Sequence, residues 1–570
     1  MPLGATDAPI SQTLGEGPRV HPRVQGRGGE GAPRAGGGDP GIGGPASIAL
    51  LLMLGTVLSR LLGLVREQLA SDRFGTGDAI AAFTVADNVH TLLFDLAVSG
   101  MLQAALIPVL ARWVAPDVAS RGELRRVAGA LLVLVLLVVG AAAALGMTFA
   151  PAVVRGMTAL LGEGGARGSA ATALTVTLVR WLLPAVLLLA VGTVLMAVLH
   201  ALGRVAAPAF ALALRNAAIV AAVVLLGDRL GVRSLAVGVV AGAALIVLAL
   251  VVPLRRAGAL PIPNLGFRHP AVRDVLALYA PIFLGLLVST VAVVADRNLG
   301  WGAGEHALGA MRYATTLVQL VLGLVAAAIS LAALPTLARH HAAGDESAFR
   351  ATLGRALAMT TVLILPATLG LAAVAVPTVD LLFGHGATGA AGTRAITVAL
   401  LGYLPGTLFA AYDQVLIFAF YARADTRTPT LVGLLAVAVY FAVALSLVGA
   451  LGMLGLVLAN SAQFVAHALV MGWLAGRAFG PVRTPALVRL VHRCGLAAGA
   501  AALVALAFWV PLDRLWPAGR APLAQEVLAV ALPVLAAAAV YALALHRAGV
   551  TELAELRGAT LGRVMPRWGR

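Results

Sequence analysis

Fourteen apolar runs, each about as long as a lipid bilayer is thick, constrain this chain more than any other feature. A helix crossing the hydrocarbon needs about 20 mostly apolar residues. Runs of that kind fall near 46–70, 80–110, 127–150, 172–202, 209–227, 234–254, 272–298, 307–337, 353–377, 393–420, 429–449, 452–475, 490–511 and 524–546. The longer ones exceed the hydrocarbon thickness and are expected to tilt, kink or project into water. Only 12% of the residues are charged and the mean hydropathy is +0.95, whereas a soluble domain carries about 25% charged residues. The chain lacks the polar cover that a water-facing surface needs. The expected fold is an all-α polytopic membrane protein.

The net charge is +16, which in a soluble protein would suggest nucleic acid. Its distribution argues otherwise. The chain has no lysine, and its 41 basic residues are arginines gathered in alternate loops. Counted from the N-terminus, the even loops hold Arg112, Arg121, Arg125 and Arg126; Arg204; Arg255, Arg256, Arg268 and Arg273; Arg339, Arg350 and Arg355; Arg423 and Arg427; and Arg477, Arg483, Arg489 and Arg493. The odd loops carry two arginines at most. Positive loops stay on the cytoplasmic side, so both chain ends are expected there. Residues 1–45 are rich in Gly, Pro and Arg without an apolar signal core and are expected to form a disordered cytoplasmic tail. Residues 547–570 form a basic tail at the other end. The lone cysteine, Cys494, can form neither an internal disulfide nor a CxxC motif.

The chain also repeats itself. Residues 105–112 read Ala-Leu-Ile-Pro-Val-Leu-Ala-Arg and residues 332–339 read Ala-Ala-Leu-Pro-Thr-Leu-Ala-Arg. Nearly the same offset pairs Gly77-Asp78 with Gly304-Glu305, and a second echo pairs Pro184 and Pro208 with Pro405 and Pro429. An even number of spans separates the copies, so the repeat is parallel. It predicts two pseudo-symmetric six-helix lobes, 46–260 and 261–480, around a central cavity, followed by two further helices at 481–546. Two lobes around a midplane site are a common transporter plan.

Charges inside the spans are costly and mark cavities or partners. Arg60 and Arg66 of the first span lie about 120° apart on a straight helix, so both could flank one cavity wall. Asp87, His90 and Asp95 lie in the second span. Asp87 and His90 share a face, and Asp87 is expected to pair with an arginine of the first span. Asp296 and Arg297 close the seventh span, and Arg312 enters the eighth. Asp413 is the most isolated acid and needs a cation, a proton or an arginine. Arg180 and Arg215 read as interfacial. There is no P-loop, no GxSxG elbow, no metal-spaced His/Cys cluster and no dinucleotide fingerprint. No loop is long enough for a catalytic domain. The expectation is a transporter, not an enzyme, with no cofactor and no metal.

Three stretches resemble the MurJ/MviN lipid II flippases of the MOP exporter superfamily. The first is Ser59-Arg60-Leu61-Leu62-Gly63-Leu64-Val65-Arg66-Glu67 with Phe74-Gly75. The second, and most specific, is Phe420-Tyr421-Ala422-Arg423-Ala424-Asp425-Thr426-Arg427-Thr428-Pro429. The third runs from Gly203-Arg204 through Pro208 to Asn216. The resemblance covers roughly residues 46–546. It implies fourteen helices, a cationic central cavity and alternating-access transport of the lipid-linked peptidoglycan precursor to the outer leaflet of the bacterial plasma membrane. It makes Arg60 and Arg66 cavity arginines, and Arg423, Asp425, Thr428 and Pro429 a conformational loop motif. Arg312, Asp87 and His90 join the expected cavity set, and Asp413, Asp95 and Asp296 are expected coupling or structural charges. The implied partners are an anionic lipid-linked glycan, membrane lipids and the cell-wall synthesis machinery, with no nucleic acid and a monomeric chain.

The sequence departs from the family at Ala81, where an aspartate is usual, and at Asp95, where a basic residue is usual. It also has Thr316 at the place of the eighth helix's cavity arginine, with Arg312 one turn earlier. These departures keep two alternatives open. One is a carrier of another polyprenyl-linked glycan or of small-molecule drugs; the other is a non-transporting membrane scaffold.

Overall fold

A computed structural model describes residues 45–98, 106–107, 109–114, 118–158, 168–481, 484–515, 522–550 and 552. Both expected tails fall outside the described residues, save for a few positions at their inner ends. The described residues form seventeen helices and no strand. In chain order they are α1 Pro45–Phe74, α2 Asp78–Val98, α3 Val118–Thr148, α4 Ala150–Thr158, α5 Ser169–Ala201, α6 Ala206–Leu230, α7 Arg233–Arg256 and α8 Pro270–Gly302. They continue with α9 Ala307–Leu324, α10 Ala326–Ala342, α11 Glu346–Ala373, α12 Ala375–Phe383, α13 Gly389–Ala422, α14 Arg427–Leu451, α15 Met453–Phe479, α16 Pro485–Leu515 and α17 Leu523–Arg547.

Each apolar run of the sequence corresponds to one of these helices, or to two in series. Twelve spans are long and apolar enough to cross a membrane among the described residues; α1 and α8, of 30 and 33 residues, complete the fourteen. Large side chains such as Leu212, Leu225, Leu431, Leu445, Leu496 and Leu535 stand 60% exposed or more. In water that surface would aggregate; in hydrocarbon it is simply the lipid-facing side.

Helix pairs that pack extensively recur between the two halves: α6 on α7 and α14 on α15, α5 on α7 and α13 on α15, α2 on α5 and α9 on α13, and α3 on α5 and α11 on α13. The repeated residues occupy matching places. Gly77 and Gly304 lie just ahead of α2 and α9, Pro184 and Pro405 lie within α5 and α13, and Pro208 and Pro429 are each the third residue of α6 and α14. Helices α16 and α17 pack on each other and on α11. Lipid tails offer no hydrophobic drive between helices, so close contact relies on small residues; a Cβ on Gly406 would lie 2.6 Å from Ser461 Cα, and one on Gly455 2.7 Å from the Leu447 carbonyl carbon.

Two expected spans are interrupted: the run 307–337 breaks at Val325 into α9 and α10, and the run 353–377 breaks at Val374 into α11 and α12. Ahead of the first break, Arg60 Nη1 of α1 donates to the Gln319 carbonyl at 2.8 Å.

Candidate functional site

The run Ser59–Glu67 carries α1 into the middle of the bundle. Arg66 turns onto its own neighbour, with Nη2 and Nε 2.6 and 3.0 Å from Glu67 Oε1. The same carboxylate receives Arg312 of α9 through a fork, Nε to Oε2 at 2.8 Å and Nη2 to Oε1 at 2.9 Å. Arg312 Nη1 then reaches Asp87 Oδ2 on α2 at 3.0 Å. Its guanidinium lies over the Phe83 ring, 5.0 Å from the centroid. Glu67 is only 2% exposed. A carboxylate at that depth stays ionised only with partners in good geometry, and two guanidinium groups supply them.

The cluster extends to α6. Arg66 Nη1 donates to Asn216 Oδ1 at 3.0 Å, and Asn216 Nδ2 donates to the Ser59 carbonyl at 2.9 Å. Arg215, beside Asn216, lies within electrostatic range of Arg66, Asp87 and Arg312. Guanidinium groups 66, 215 and 312 therefore face two carboxylates, Glu67 and Asp87. Arg60, nearly two turns earlier on α1, adds a fourth positive charge against the backbone of α9. A methyl group on Gly323 would fall where the Arg60 guanidinium lies.

Two hollows flank this cluster. The larger, about 440 Å³, is lined by Asp87, Asn88, Asp296, Arg297, Arg312 and Tyr440 among others. The smaller, about 140 Å³, is lined by Arg60, Arg66, Thr316 and Gln319 with their neighbours. The bonded chain Arg66–Glu67–Arg312 connects the wall of one to the wall of the other.

The remaining sequence candidates divide by location. His90 Nδ1 stands 3.7 Å from Asp87 Oδ1, too far for a hydrogen bond, and both of its buried ring nitrogens lack a partner. Asp95 lies farther along α2, within electrostatic range of His90. Asp296 accepts a hydrogen bond from the Tyr440 hydroxyl, with Arg297 Nη1 at 3.4 Å. Asp413 is not isolated: its Oδ1 bonds His467 Nδ1 of α15 at 2.6 Å, and it lines neither hollow. In the loop motif, Arg423 pairs with Glu346 and lies between the Phe349 and Phe479 rings, 4.8 and 4.5 Å from their centroids. Asp425 accepts from the Thr428 amide at 3.0 Å and hydroxyl at 2.6 Å, which starts α14 two residues before the buried Pro429.

Where α1 ends, the two halves meet in a seam dominated by uncharged groups. Ser71 Oγ donates to the Phe383 carbonyl at 3.1 Å and lies 2.6 Å from Thr388 Oγ1. The Tyr313 hydroxyl donates to the Gly75 carbonyl at 3.0 Å, and Thr76 Oγ1 bonds His306 Nδ1 at 2.9 Å. Gly75 and Gly386 sit at φ +64° and +59°. Their missing side chains let the loops close on Ala387 and Asp72.

Comparison with known proteins now adds the lineage. The family described as lipid II flippase MurJ is matched over residues 70–518. The chain belongs to the lipid II flippase MurJ family. The lipid II flippase MurJ of Burkholderia cenocepacia is 30% identical over 394 residues, covering 67% of this chain and 74% of that one. A probable lipid II flippase MurJ of Rhizobium meliloti is 29% identical over 518 residues, covering 88% and 94%. Among solved structures, an inward closed conformation of a lipid II flippase MurJ superposes with a TM-score of 0.69 at 18% identity, covering 86% of this chain and 98% of that one. An inward-facing MATE family multidrug resistance transporter of the MOP superfamily gives 0.63 at 16%, covering 78% and 98%. At those identities the structures speak for the fold, which is that of MurJ and its superfamily.

Set in this MurJ-family fold, several residues stand out that the sequence alone did not single out. Glu67 was visible only as the acidic end of the opening motif, yet it is the hub of the cluster. Arg215 reads as interfacial in sequence, but it stands nine residues inside α6. Asp87 was expected to pair with the first span and pairs instead with Arg312, because Glu67 already holds Arg66. Thr316 donates to the Arg312 carbonyl at 3.1 Å and lines the smaller hollow beside Arg60 and Arg66, while Arg312, one turn earlier on α9, lines the larger one.

Proposed function

We propose that this chain carries lipid II, the lipid-linked peptidoglycan precursor, from the inner to the outer leaflet of the bacterial plasma membrane, with both termini in the cytoplasm. The observation that carries this reading is the surplus of guanidinium over carboxylate where the two halves meet. Arg60, Arg66, Arg215 and Arg312 outnumber Glu67 and Asp87 by two, beside hollows that a headgroup can enter. A pyrophosphate brings at least two negative charges and oxygens that suit the guanidinium fork. Glu67 holds Arg66 and Arg312 side by side. An incoming pyrophosphate replaces Glu67 at one or both, so the binding energy is tied to rearranging the bonds between α1 and α9. The neutral seam then forms the closed outer side, and its hydroxyl bonds exchange for water when the lobes rock.

The MurJ relatives, the arginine-rich loops on the side of the termini and the parallel repeat all support this account. The test uses purified protein in liposomes with defined lipid-linked substrates. Wild-type protein should move lipid II, and Arg60→Ala and Arg66→Ala should abolish movement while expression persists. Full activity of Arg60→Ala would remove its role. Movement of a different polyprenyl pyrophosphate glycan with no movement of lipid II would keep the pyrophosphate chemistry and overturn the substrate.

A further inference from the structure

Helices α13 and α15 pack along one stripe. Gly402, Gly406 and Asp413 recur on α13 at spacings of four and seven residues, which keeps them on one face. Near the middle of α13 the stripe is locked: Ser461 Oγ donates to the Gly402 carbonyl at 2.6 Å and accepts from the Gly406 amide at 3.1 Å. Gly402 and Gly406 press against Val457 and Ser461, and Pro405 interrupts the helix ladder there. Seven residues on, toward the end of α13, the contact changes character. Among apolar contacts such as Phe420 on Phe479, the polar link between α13 and α15 there is the Asp413–His467 bond, with both residues less than 10% exposed.

We infer that Asp413 and His467 form a proton-binding site in the second lobe, whose occupancy closes or opens the α13–α15 seam about the Pro405–Ser461 pivot. The inference rests on the transport reading above and adds a coupling ion to it. The 2.6 Å separation of Nδ1 and Oδ1 leaves no room for a metal ion between them, since zinc–nitrogen and zinc–oxygen bonds are each at least about 2.0 Å long. A shared proton fits it. With one proton the pair is electrically neutral overall; without it, a buried carboxylate is left uncompensated, and that state demands water or movement. Buried acid–histidine groups in membrane helices are characteristic of proton pathways.

Several charged groups on the surrounding helices are engaged elsewhere. Arg312 serves Glu67 and Asp87, Arg339 the Thr336 hydroxyl, Arg350 the Phe479 carbonyl, Arg423 Glu346, and Arg477 lies over the Trp473 ring. Tyr421, on α13 itself, senses the Asp413 charge, and Tyr412 is turned to Thr361. Facing His467 Nε2 from α14 is Gly433, where an added Cβ would lie 3.8 Å away.

The test compares wild type, Asp413→Asn and His467→Asn in liposomes, with lipid II binding measured separately from flipping. An acid-outside gradient should bias wild-type transport outward by up to about tenfold per pH unit for one coupled proton. Both variants should keep lipid II binding and lose the gradient response, flipping equally in either direction. A gradient response of His467→Asn equal to wild type overturns the proposal. Should the variants not fold, hydrogen exchange on wild-type protein decides. After correction for intrinsic rates, protection of residues 410–422 and 464–475 should fall as pH rises through the transition, and unchanged protection overturns the site. If lipid II neither binds nor moves but the exchange switch persists, the substrate reading fails while the proton site stands.

Discussion

The seam at the end of α1 and the cluster in its middle both join the two halves, but by opposite chemistry. The seam uses hydroxyls, glycines, backbone carbonyls and the His306 imidazole, with Ser71, Thr388 and Tyr313 all buried. The cluster uses formal charges that share one carboxylate. A neutral hydrogen bond contributes about 1 kcal/mol net, because water replaces it when the site opens. A buried ion pair that loses one partner leaves a charge that costs several kcal/mol. The seam can therefore part by hydration, whereas the cluster opens only by exchange of one anion for another. That difference makes the cluster the place where substrate can be sensed, and the seam the place that merely follows.

Arg312→Ala should test this hardest. It removes the fork on Glu67 and the bond to Asp87 together, and breaking a buried pair of this kind costs about 3–5 kcal/mol. Flipping should fall by at least about a hundredfold, with a lower unfolding temperature in detergent. Arg312→Lys keeps the charge but not the fork and should fall between. Wild-type activity and stability in Arg312→Ala would erase the distinction between the two regions. Gly323→Ala should come next. The methyl group evicts Arg60 from α9 and should reduce flipping about tenfold, a partial form of the loss expected for Arg60→Ala, because the guanidinium remains but its contact with α9 is broken. Wild-type flipping in Gly323→Ala would show that this contact is not needed. Ser71→Ala or Thr388→Val should be milder, about 1 kcal/mol. A cysteine placed at Thr84, in a Cys494→Ala background, should then label about fivefold faster from the outside. No change in labelling would mean that the seam is not what shuts that face.

The helices were legible because hydrocarbon demands continuous apolar length, and the alternation of arginine loops kept their count in register. Pro184 and Pro405 marked equivalent helices for the same reason: only a few places in a span tolerate proline. The contact of Arg60 with the Gln319 carbonyl was not legible, since its partner comes from a helix 259 positions away. The partners of Asp87 and Asp413 were hidden likewise. Periodicity gives the face on which a charge lies, but not which helix covers that face. Arg215 shows the limit most clearly: position in a span cannot tell an arginine turned inward from one reaching out to headgroups. Arg60, Arg66 and Arg312 could be nominated from their depth alone, whereas Glu67 looked like an ordinary motif letter until its two guanidinium partners were in place.

The smallest effect is expected where neither seam nor cluster is touched. Asp425 accepts from the Thr428 hydroxyl and amide, and these bonds hold its carboxyl below the usual aspartate range. A depressed value in the folded protein means stability that is fully present above the unfolded value, about pH 3.9, and is lost as pH falls through the folded one. Between pH 5 and 8 this cap should therefore contribute a constant amount, at most about 1 kcal/mol for so exposed a group. Thr428→Ala should lower the unfolding temperature slightly and equally across that range, with the difference from wild type shrinking only in stronger acid. Flipping should be unaffected at neutral pH, because Arg423, held by Glu346 and two phenylalanine rings, still ties the ends of α11, α13 and α15 together. A large loss of transport in Thr428→Ala would mean that this loop moves during the cycle. The contrast between a charged centre and a neutral rim would then have to include a third moving part.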